Sequence, residues 1–306
     1  MGSGAAGQRG GGAGSGVATP CHPERSEGSL RRPSRDPSVA VLPQDDNRDW
    51  HLWVEECPRP GWANMAIDQT LLDRAELLGE SWLRLYSWEP HCLSFGRHEP
   101  ATQRYDAERI AALGIDTVRR PTGGRAVWHG HELTYAVAAP GPRFGSLQEA
   151  YLEIHAMIGQ ALGELGIDAV LASSRRSAPL DAGACFSQPA GGEVLVGGRK
   201  VVGSAQLRQG GALLQHGTIL LVDGQHIVRE LMGGSAGHDS FSSLGEAALS
   251  PLGRSLAVAE LAEEIADIAA IRWPGNWNRM TAAGEVIGAA SRHYPQFRSP
   301  AWTWAR

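Results

Sequence analysis

Lysine is almost missing from this chain. Lys200 is the one lysine among 28 basic side chains in 306 residues, the other 27 being arginine. As solvated surface charges the two are largely interchangeable, but a guanidinium cannot replace a compact ammonium or a group that must lose its proton. Composition alone leaves two explanations open, codon usage that favours arginine or a site that needs an amine. Cysteine is scarce too. Cys21, Cys57, Cys92 and Cys185 lie far apart, with no CxxC pair and no Cys/His ligand spacing. That argues against a disulfide framework or a zinc site and predicts reduced thiols in a cytoplasmic protein. No apolar run reaches the ~18 residues of a membrane span, and the first residues lack the apolar core of an export signal. The net charge of −5 shows no basic excess of the kind nucleic acid attracts. Neither a membrane nor a nucleic acid is an expected partner.

What is present is ordinary for a globular protein, with 42% apolar and 20% charged residues and length enough for a sizeable core. The start is the exception. Eight of the first sixteen residues are glycine, and Ser, Pro and Arg dominate to about residue 47. Such a segment buries too little apolar surface to offset its ordering entropy, so residues 1–47 are expected to be disordered. A catalytic domain is expected over 48–300, with 301–306 as a tail. Within it, His51–Glu55, Leu83–Tyr86, Leu93–Phe95 and Asp116–Arg119 read as strands. So do Ala126–Trp128, Leu133–Ala138 and Ala169–Leu171. The segment from Asn64 to about Leu78 reads as a helix, with apolar Ile67, Leu71, Leu72 and Ala75 at helical spacing. Ala107–Leu113 reads as a short helix, and Ser146–Leu165 as the longest, with Ser146 as its N-cap. Gly197-Gly198 and Gly210-Gly211 read as two-residue hairpin turns. The first hairpin pairs Glu193–Val196 with Arg199–Ala205 and places Lys200, Val202, Ser204 and Gln206 on one strand face. Helical patterns at Ile227–Met232, Ser243–Ala248 and Leu256–Ala270 precede a Trp- and Pro-containing end. Interleaved strands and helices without repeats predict an α/β domain of α+β type, a mixed sheet flanked by helices.

Three places could carry chemistry. Cys185, in Ala184-Cys185-Phe186-Ser187, follows an irregular loop and precedes Lys200 by fifteen residues. It reads as a buried small hydrophobe or as a nucleophile whose thiolate a nearby ammonium would favour. The loop Arg119-Arg120-Pro121-Thr122-Gly123-Gly124-Arg125 lacks the Lys-Ser/Thr of a P-loop. Its glycines permit close approach of backbone to a ligand, and three arginines without an acid suit an acidic or phosphorylated partner. His129, His131 and His216 have no acidic or cysteine partner at ligand spacing, so no metal is expected.

Three motifs together resemble the biotin/lipoate protein ligase catalytic-domain family. They are Asn64-Met65-Ala66-Ile67-Asp68, then Arg119–Val127, then Gly198–Gln206 followed by Gln215-His216-Gly217-Thr218. They occur in the family's order across nearly all of residues 48–255. The resemblance implies a fold related to class II tRNA synthetases. It is strongest, at Ala184-Cys185-Phe186 and Arg120–Arg125, to the octanoyltransferases that act through a cysteine acyl-enzyme. In that branch Cys185 would be the acyl-thioester nucleophile and Lys200 the residue that lowers its pKa. The substrate-binding positions implied are Arg120, Gly123, Gly124, Arg125, His129, Gly203, Ser204, Ala205, His216, Gly217 and Thr218. The family's acidic residue after the histidine is here Gly130. The accessory domain of lipoate ligases would not fit the ~50 residues after Ser250.

The activity implied is transfer of an octanoyl group from octanoyl-acyl carrier protein to a lysine of a lipoyl domain. The acceptor would be a protein such as the glycine-cleavage H protein or the E2 subunit of a 2-oxoacid dehydrogenase. The two carriers would visit one cysteine in ping-pong order. No cofactor, neither ATP nor metal, is implied. Two alternatives stay open, an ATP-dependent lipoate-protein ligase using the same pocket and an amidotransferase that moves octanoate between lipoyl domains.

Overall fold

The computed structural model describes residues 49–173, 191–222, 224–232, 256–281 and 283–306, all within one compact unit. In chain order the strands are β1 (Trp50–Val54), β2 (Ser81–Tyr86), β3 (Cys92–Phe95), β4 (Asp116–Arg119), β5 (Val127–His129) and β6 (Glu132–Pro140), then β7 (Ala169–Leu171), β8 (Val194–Val196), β9 (Arg199–Lys200), β10 (Val202–Gln209), β11 (Ala212–Leu220) and β12 (Trp277–Arg279). The helices used below are α1 (Gly61–Leu78), α2 (Ala101–Arg104), α3 (Ala107–Ala112), α4 (Leu147–Glu164), α5 (His226–Leu231) and α6 (Val258–Arg272).

The main sheet has six strands in the order β10-β11-β6-β2-β1-β12. It is mixed, as the interleaving predicts: β1 runs parallel to β2 and β12, while β2, β6, β11 and β10 pair antiparallel. Alternation along the central strands feeds two cores. Leu83, Leu85, Tyr135 and Val137 pack under α4 and α6, and Trp82, Tyr86, Ala136 and Ala138 pack under α1. Cover on both faces explains why β2 and β11 are buried at every position. The capping box at Ser146 is present. Its hydroxyl accepts from the Glu149 amide at 3.1 Å, and Glu149 accepts from the Ser146 amide at 2.7 Å.

Two small sheets complete the fold, β4-β3-β5 and β7-β8-β9. The first holds the Arg119–Arg125 loop between β4 and β5. The Gly210-Gly211 turn is as expected, with Gln209 paired to Ala212. The other hairpin differs. Lys200 pairs with Leu195 in the β7-β8-β9 sheet, whereas Val202 onward pairs with β11. The backbone of Val201 makes the switch, its N–H donating to Val194 O and its carbonyl accepting from Leu220 N. Lys200 therefore shares no strand face with Ser204 and Gln206.

Other differences are local. Helix α1 begins three residues before Asn64, at Gly61. Cys57 is disulfide-bonded, against the expectation of reduced thiols, because pairing depends on folded proximity and not on sequence spacing; Cys92 is free and buried. Strand β12, three residues long, has no local signature. It is added in parallel to β1, where Trp277 stacks on Trp50 with ring centroids 5.2 Å apart. The chain end also packs, with the Trp302 indole donating to Arg119 O at 3.0 Å. The patterns at 1–47 and Ser243–Ala248, and Cys185 with its preceding loop, lie outside the described residues. No helix among the described residues is long and apolar enough to cross a membrane.

Candidate active site

The sequence motifs converge on one small cleft. Strand register explains much of the convergence. Gly203, Ser204 and Ala205 on β10 lie directly opposite Thr218, Gly217 and His216 on β11, and all six line the cleft. Arg120 and Gly124 of the glycine loop line it as well. Met65, Tyr86, Trp88 and Val127 supply apolar wall.

One buried chain of hydrogen bonds ties the three motifs together. Asp68, on α1, accepts from His216 Nδ1 at 2.8 Å, and His216 Nε2 meets Thr122 Oγ1 at 2.6 Å. Asp68 also takes the Tyr86 hydroxyl at 2.8 Å and the Arg84 guanidinium at 2.7 Å. Burial by itself would raise the Asp68 pKa, but the His216 hydrogen bond and the Arg84 charge outweigh it and hold the carboxyl below its ordinary value. Burial lowers the pKa of His216, against the pull of Asp68. A neutral imidazole whose Nδ1–H faces a carboxylate accepts at Nε2, so the Thr122 hydroxyl donates.

Arg120 is not solvated charge. It donates to Ser94 O at 3.0 Å, to Ser94 Oγ at 2.5 Å, to Gly123 O at 3.2 Å and to Arg125 O at 2.7 Å. Arg119 is also buried and donates to the carbonyls of Gly96, Glu99, Trp302 and Thr303. The expectation that the loop's arginines form a basic face for an acidic partner is therefore corrected. Two of the three hold backbone in place, because buried carbonyls need donors and arginine carries five. Gly124 has φ of 88°, and a Cβ on the facing Gly96 would run into the Gly124 carbonyl. These glycines allow two backbones to touch.

Gly123, Arg125 and His129 do not line the cleft, although His129 backs it. Its ring stacks on Trp88 with centroids 3.8 Å apart, and its Nδ1 lies 2.5 Å from Glu132 Oε1. Gly130 is not acidic, but the carboxylate of Glu132 lies beside the His129 ring. His129 Nε2 is 2.6 Å from Ser94 Oγ. Lys200 is buried, with Nζ 2.5 Å from Glu193 Oε1. Its charge is close enough to His155 to help depress that residue's pKa.

His155 is the group that sequence reading missed. It lies on the buried face of α4 among Ile154, Met157 and Ile158, and a histidine in such a stripe was the available signal. Its Nδ1 is 2.8 Å from Gly192 O, and its Nε2 is 2.8 Å from Ser204 Oγ in the cleft wall. Burial, with a smaller push from Lys200 and against the Gly192 carbonyl, lowers its pKa to about 4. Among the described residues no cluster of His, Cys, Asp and Glu is placed to hold a metal ion.

Residues 60–267 match the family described as the lipoyl protein ligase A/B catalytic domain. The chain is 41% identical over 173 residues to a protein named octanoyltransferase LipM from Carboxydothermus hydrogenoformans, covering 55% of this chain and 64% of the relative. It is 45% identical over 170 residues to one of the same name from Kyrpidia tusciae, covering 52% and 61%. The chain thus spans somewhat over three fifths of the length of these curated relatives. Among solved structures it resembles lipoate-protein ligase A bound with ATP, with TM-score 0.70 at 16% identity, covering 84% of this chain and 98% of the other. It also resembles a bipartite lipoate protein ligase from Thermoplasma acidophilum, with TM-score 0.63 at 16% identity, covering 84% and 96%. At that identity the structures establish the fold.

Proposed function

Because the chain belongs to the lipoyl protein ligase A/B catalytic-domain family, we propose that it transfers an octanoyl group from octanoyl-acyl carrier protein to a lysine of a lipoyl domain, in lipoate biosynthesis, through a thioester on Cys185. The observation that carries this reading is the joining of all three motifs, through Asp68, His216 and Thr122, at a cleft with apolar walls. Relatives at 41% and 45% identity that bear the octanoyltransferase name support it. The lipoyl-domain acceptor would be the glycine-cleavage H protein or a dehydrogenase E2 subunit.

In the first half-reaction the Cys185 thiolate attacks the carrier thioester carbon. The carbon–sulfur bond to phosphopantetheine breaks, and the carrier leaves as a thiolate that takes up a proton. One thioester replaces another, so the step is close to isoenergetic. In the second half the acceptor's neutral amine attacks the Cys185 thioester. An amide forms, the nitrogen loses a proton, and Cys185 departs as sulfur able to accept it. Each step passes through an oxyanion that needs pre-aimed donors. Lys200 is the ammonium in this reading, favouring the thiolate, and Glu193 holds it in place. Each CH₂ of the acyl chain buried against Met65, Trp88 and Val127 contributes about 0.8 kcal/mol.

The test is intact-mass and peptide mass spectrometry after incubation with octanoyl-acyl carrier protein. An octanoyl adduct on Cys185 that a lipoyl domain discharges is the expected result. Full activity in Cys185→Ser, or modification that requires free lipoate and ATP, would replace this reading with the ligase.

A further inference from the structure

Three buried histidines share one arrangement. In each, Nδ1 faces an acceptor and Nε2 faces a hydroxyl: His216 with Thr122, His129 with Ser94, and His155 with Ser204. Two of those hydroxyls are closed off, since Ser94 and Thr122 are fully buried. Ser204 differs, because it is half-buried and lines the cleft.

The hydrogens around Ser204 can be assigned from fixed ends. Gln206 Nε2 lies 2.8 Å from Leu147 O, so that atom is the amide nitrogen, and it also donates to Gln215 Oε1 at 2.8 Å. Gln215 then turns its Nε2 to the Tyr135 hydroxyl at 2.9 Å. Tyr135 accepts there, which leaves its hydrogen for Ser204 Oγ at 2.6 Å. At the other end, Gly192 O requires an N–H at His155 Nδ1, so the neutral ring accepts at Nε2 and Ser204 donates to it. Ser204 thus gives its one hydrogen to His155 and fills one lone pair from Tyr135. One lone pair remains. Ser204 itself lines the cleft, and any side chain on the cross-strand Gly217 would press on it, a Cβ there lying 2.5 Å from Ser204 Oγ.

We infer that Ser204 accepts a hydrogen bond from an N–H of the incoming primary amine in the cleft, and that His155 and Tyr135 are positioning residues that keep the Ser204 hydrogen turned away from it. This rests on the acyl transfer to an amine proposed above. An acceptor-only oxygen cannot bind the acyl carbonyl or its oxyanion, which needs donors, but it can orient a nucleophilic nitrogen. The role belongs to the second half-reaction and not to the first, in which no amine takes part.

Ping-pong kinetics separate the halves, because kcat/KM for each substrate reports its own half-reaction. The assay uses octanoyl-acyl carrier protein as donor and a lipoyl-domain protein as acceptor. In Ser204→Ala, kcat/KM for the acceptor is expected to fall about tenfold relative to kcat/KM for the donor, the worth of one hydrogen bond to a polar reacting group. Tyr135→Phe and His155→Gln should shift the same ratio in the same direction, and Ser204→Thr should restore it. Equal falls for both substrates in Ser204→Ala, with an unchanged thermal midpoint, would overturn the inference and make Ser204 part of the wall. The acyl-enzyme reading is judged separately, by whether the wild type forms an octanoyl adduct. If it does not, transfer is direct and the halves do not separate; Ser204 is then tested by the acceptor KM at saturating donor, which Ser204→Ala should raise and which, unchanged, would overturn the inference.

Discussion

Acid should act on this protein through His155, and the size of the effect can be worked out. The ring is buried, its Nδ1–H is fixed by Gly192 O, and its pKa is lowered from 6.5 to about 4 by burial first and the Lys200 charge second. A group whose folded pKa lies below its unfolded value stabilises the fold fully above the unfolded pKa. That contribution is lost as pH falls toward the folded pKa. For His155 the window runs from about 6.5 down to about 4. The loss between pH 7.5 and 4.5 is on the order of 2–3 kcal/mol, at ~1.36 kcal/mol per unit. Against a typical total of about 5–15 kcal/mol that is a large fraction.

Urea denaturation of the wild type and of His155→Gln across that pH range isolates the term. Asp68 and His216, whose pKa values are also lowered, titrate in both proteins and cancel in the difference. The wild type should lose about 2–3 kcal/mol more than the variant on going from pH 7.5 to 4.5. Parallel stability curves, or an NMR titration of His155 centred near 6.5, would refute the reasoning.

Three other outcomes follow from named contacts. Asp68→Ala removes the carboxylate that meets fully buried Arg84 and His216, and it should cost about 3 kcal/mol in urea denaturation, the low end for a broken buried pair, because Glu55 still faces the guanidinium. A cost below 1 kcal/mol would contradict the geometry. Ser146→Ala removes the cap of α4 and should lower stability by about 1 kcal/mol without changing catalytic constants. Glu193→Gln removes the carboxylate 2.5 Å from Lys200 Nζ. It should raise the rate of iodoacetamide alkylation at Cys185, and Lys200→Arg should slow acyl transfer; no change in either variant would separate Lys200 from the thiol.

The sequence carried what period and turn chemistry encode. Alternation marked β2 and β6, and the spacing of Ile67, Leu71 and Leu72 marked α1. Ser146 marked the start of α4, and Gly210-Gly211 the β10-β11 turn. It could not carry what depends on sheet exchange. Gly197-Gly198 does make a turn, but whether the next strand stays with its hairpin partner is set by the Val201 hydrogen bonds, and those depend on β11 nineteen residues later. The charge of the glycine loop misled for a related reason. Arg119 and Arg120 look like surface charges in the sequence, yet the loop's buried carbonyls claim their donors, and the Trp302 end that covers Arg119 lies 183 residues away.

The same logic explains why the histidines were hard to rank. In the sequence, His129 and His131 stood out beside the glycine loop, and His155 was one polar residue in an apolar stripe. Folded, His129 and His216 are backed by carboxylates and close on buried hydroxyls, so they join the loop to the sheet. His155 is backed by a backbone carbonyl, which orients the ring without adding a negative charge, and it lies within reach of the Lys200 charge. Burial and the Lys200 charge disfavour its protonated form, against the weaker pull of the Gly192 carbonyl. A neutral ring at that place holds the Ser204 hydrogen and adds no second cation beside Lys200. If Lys200 stabilises a thiolate, its charge near the cleft is then opposed by Glu193 and not amplified by an imidazolium. Replacing Gly192 O by a carboxylate partner would favour the imidazolium and turn the Ser204 hydrogen toward the cleft. A residue that accepts from an amine would then become one that donates.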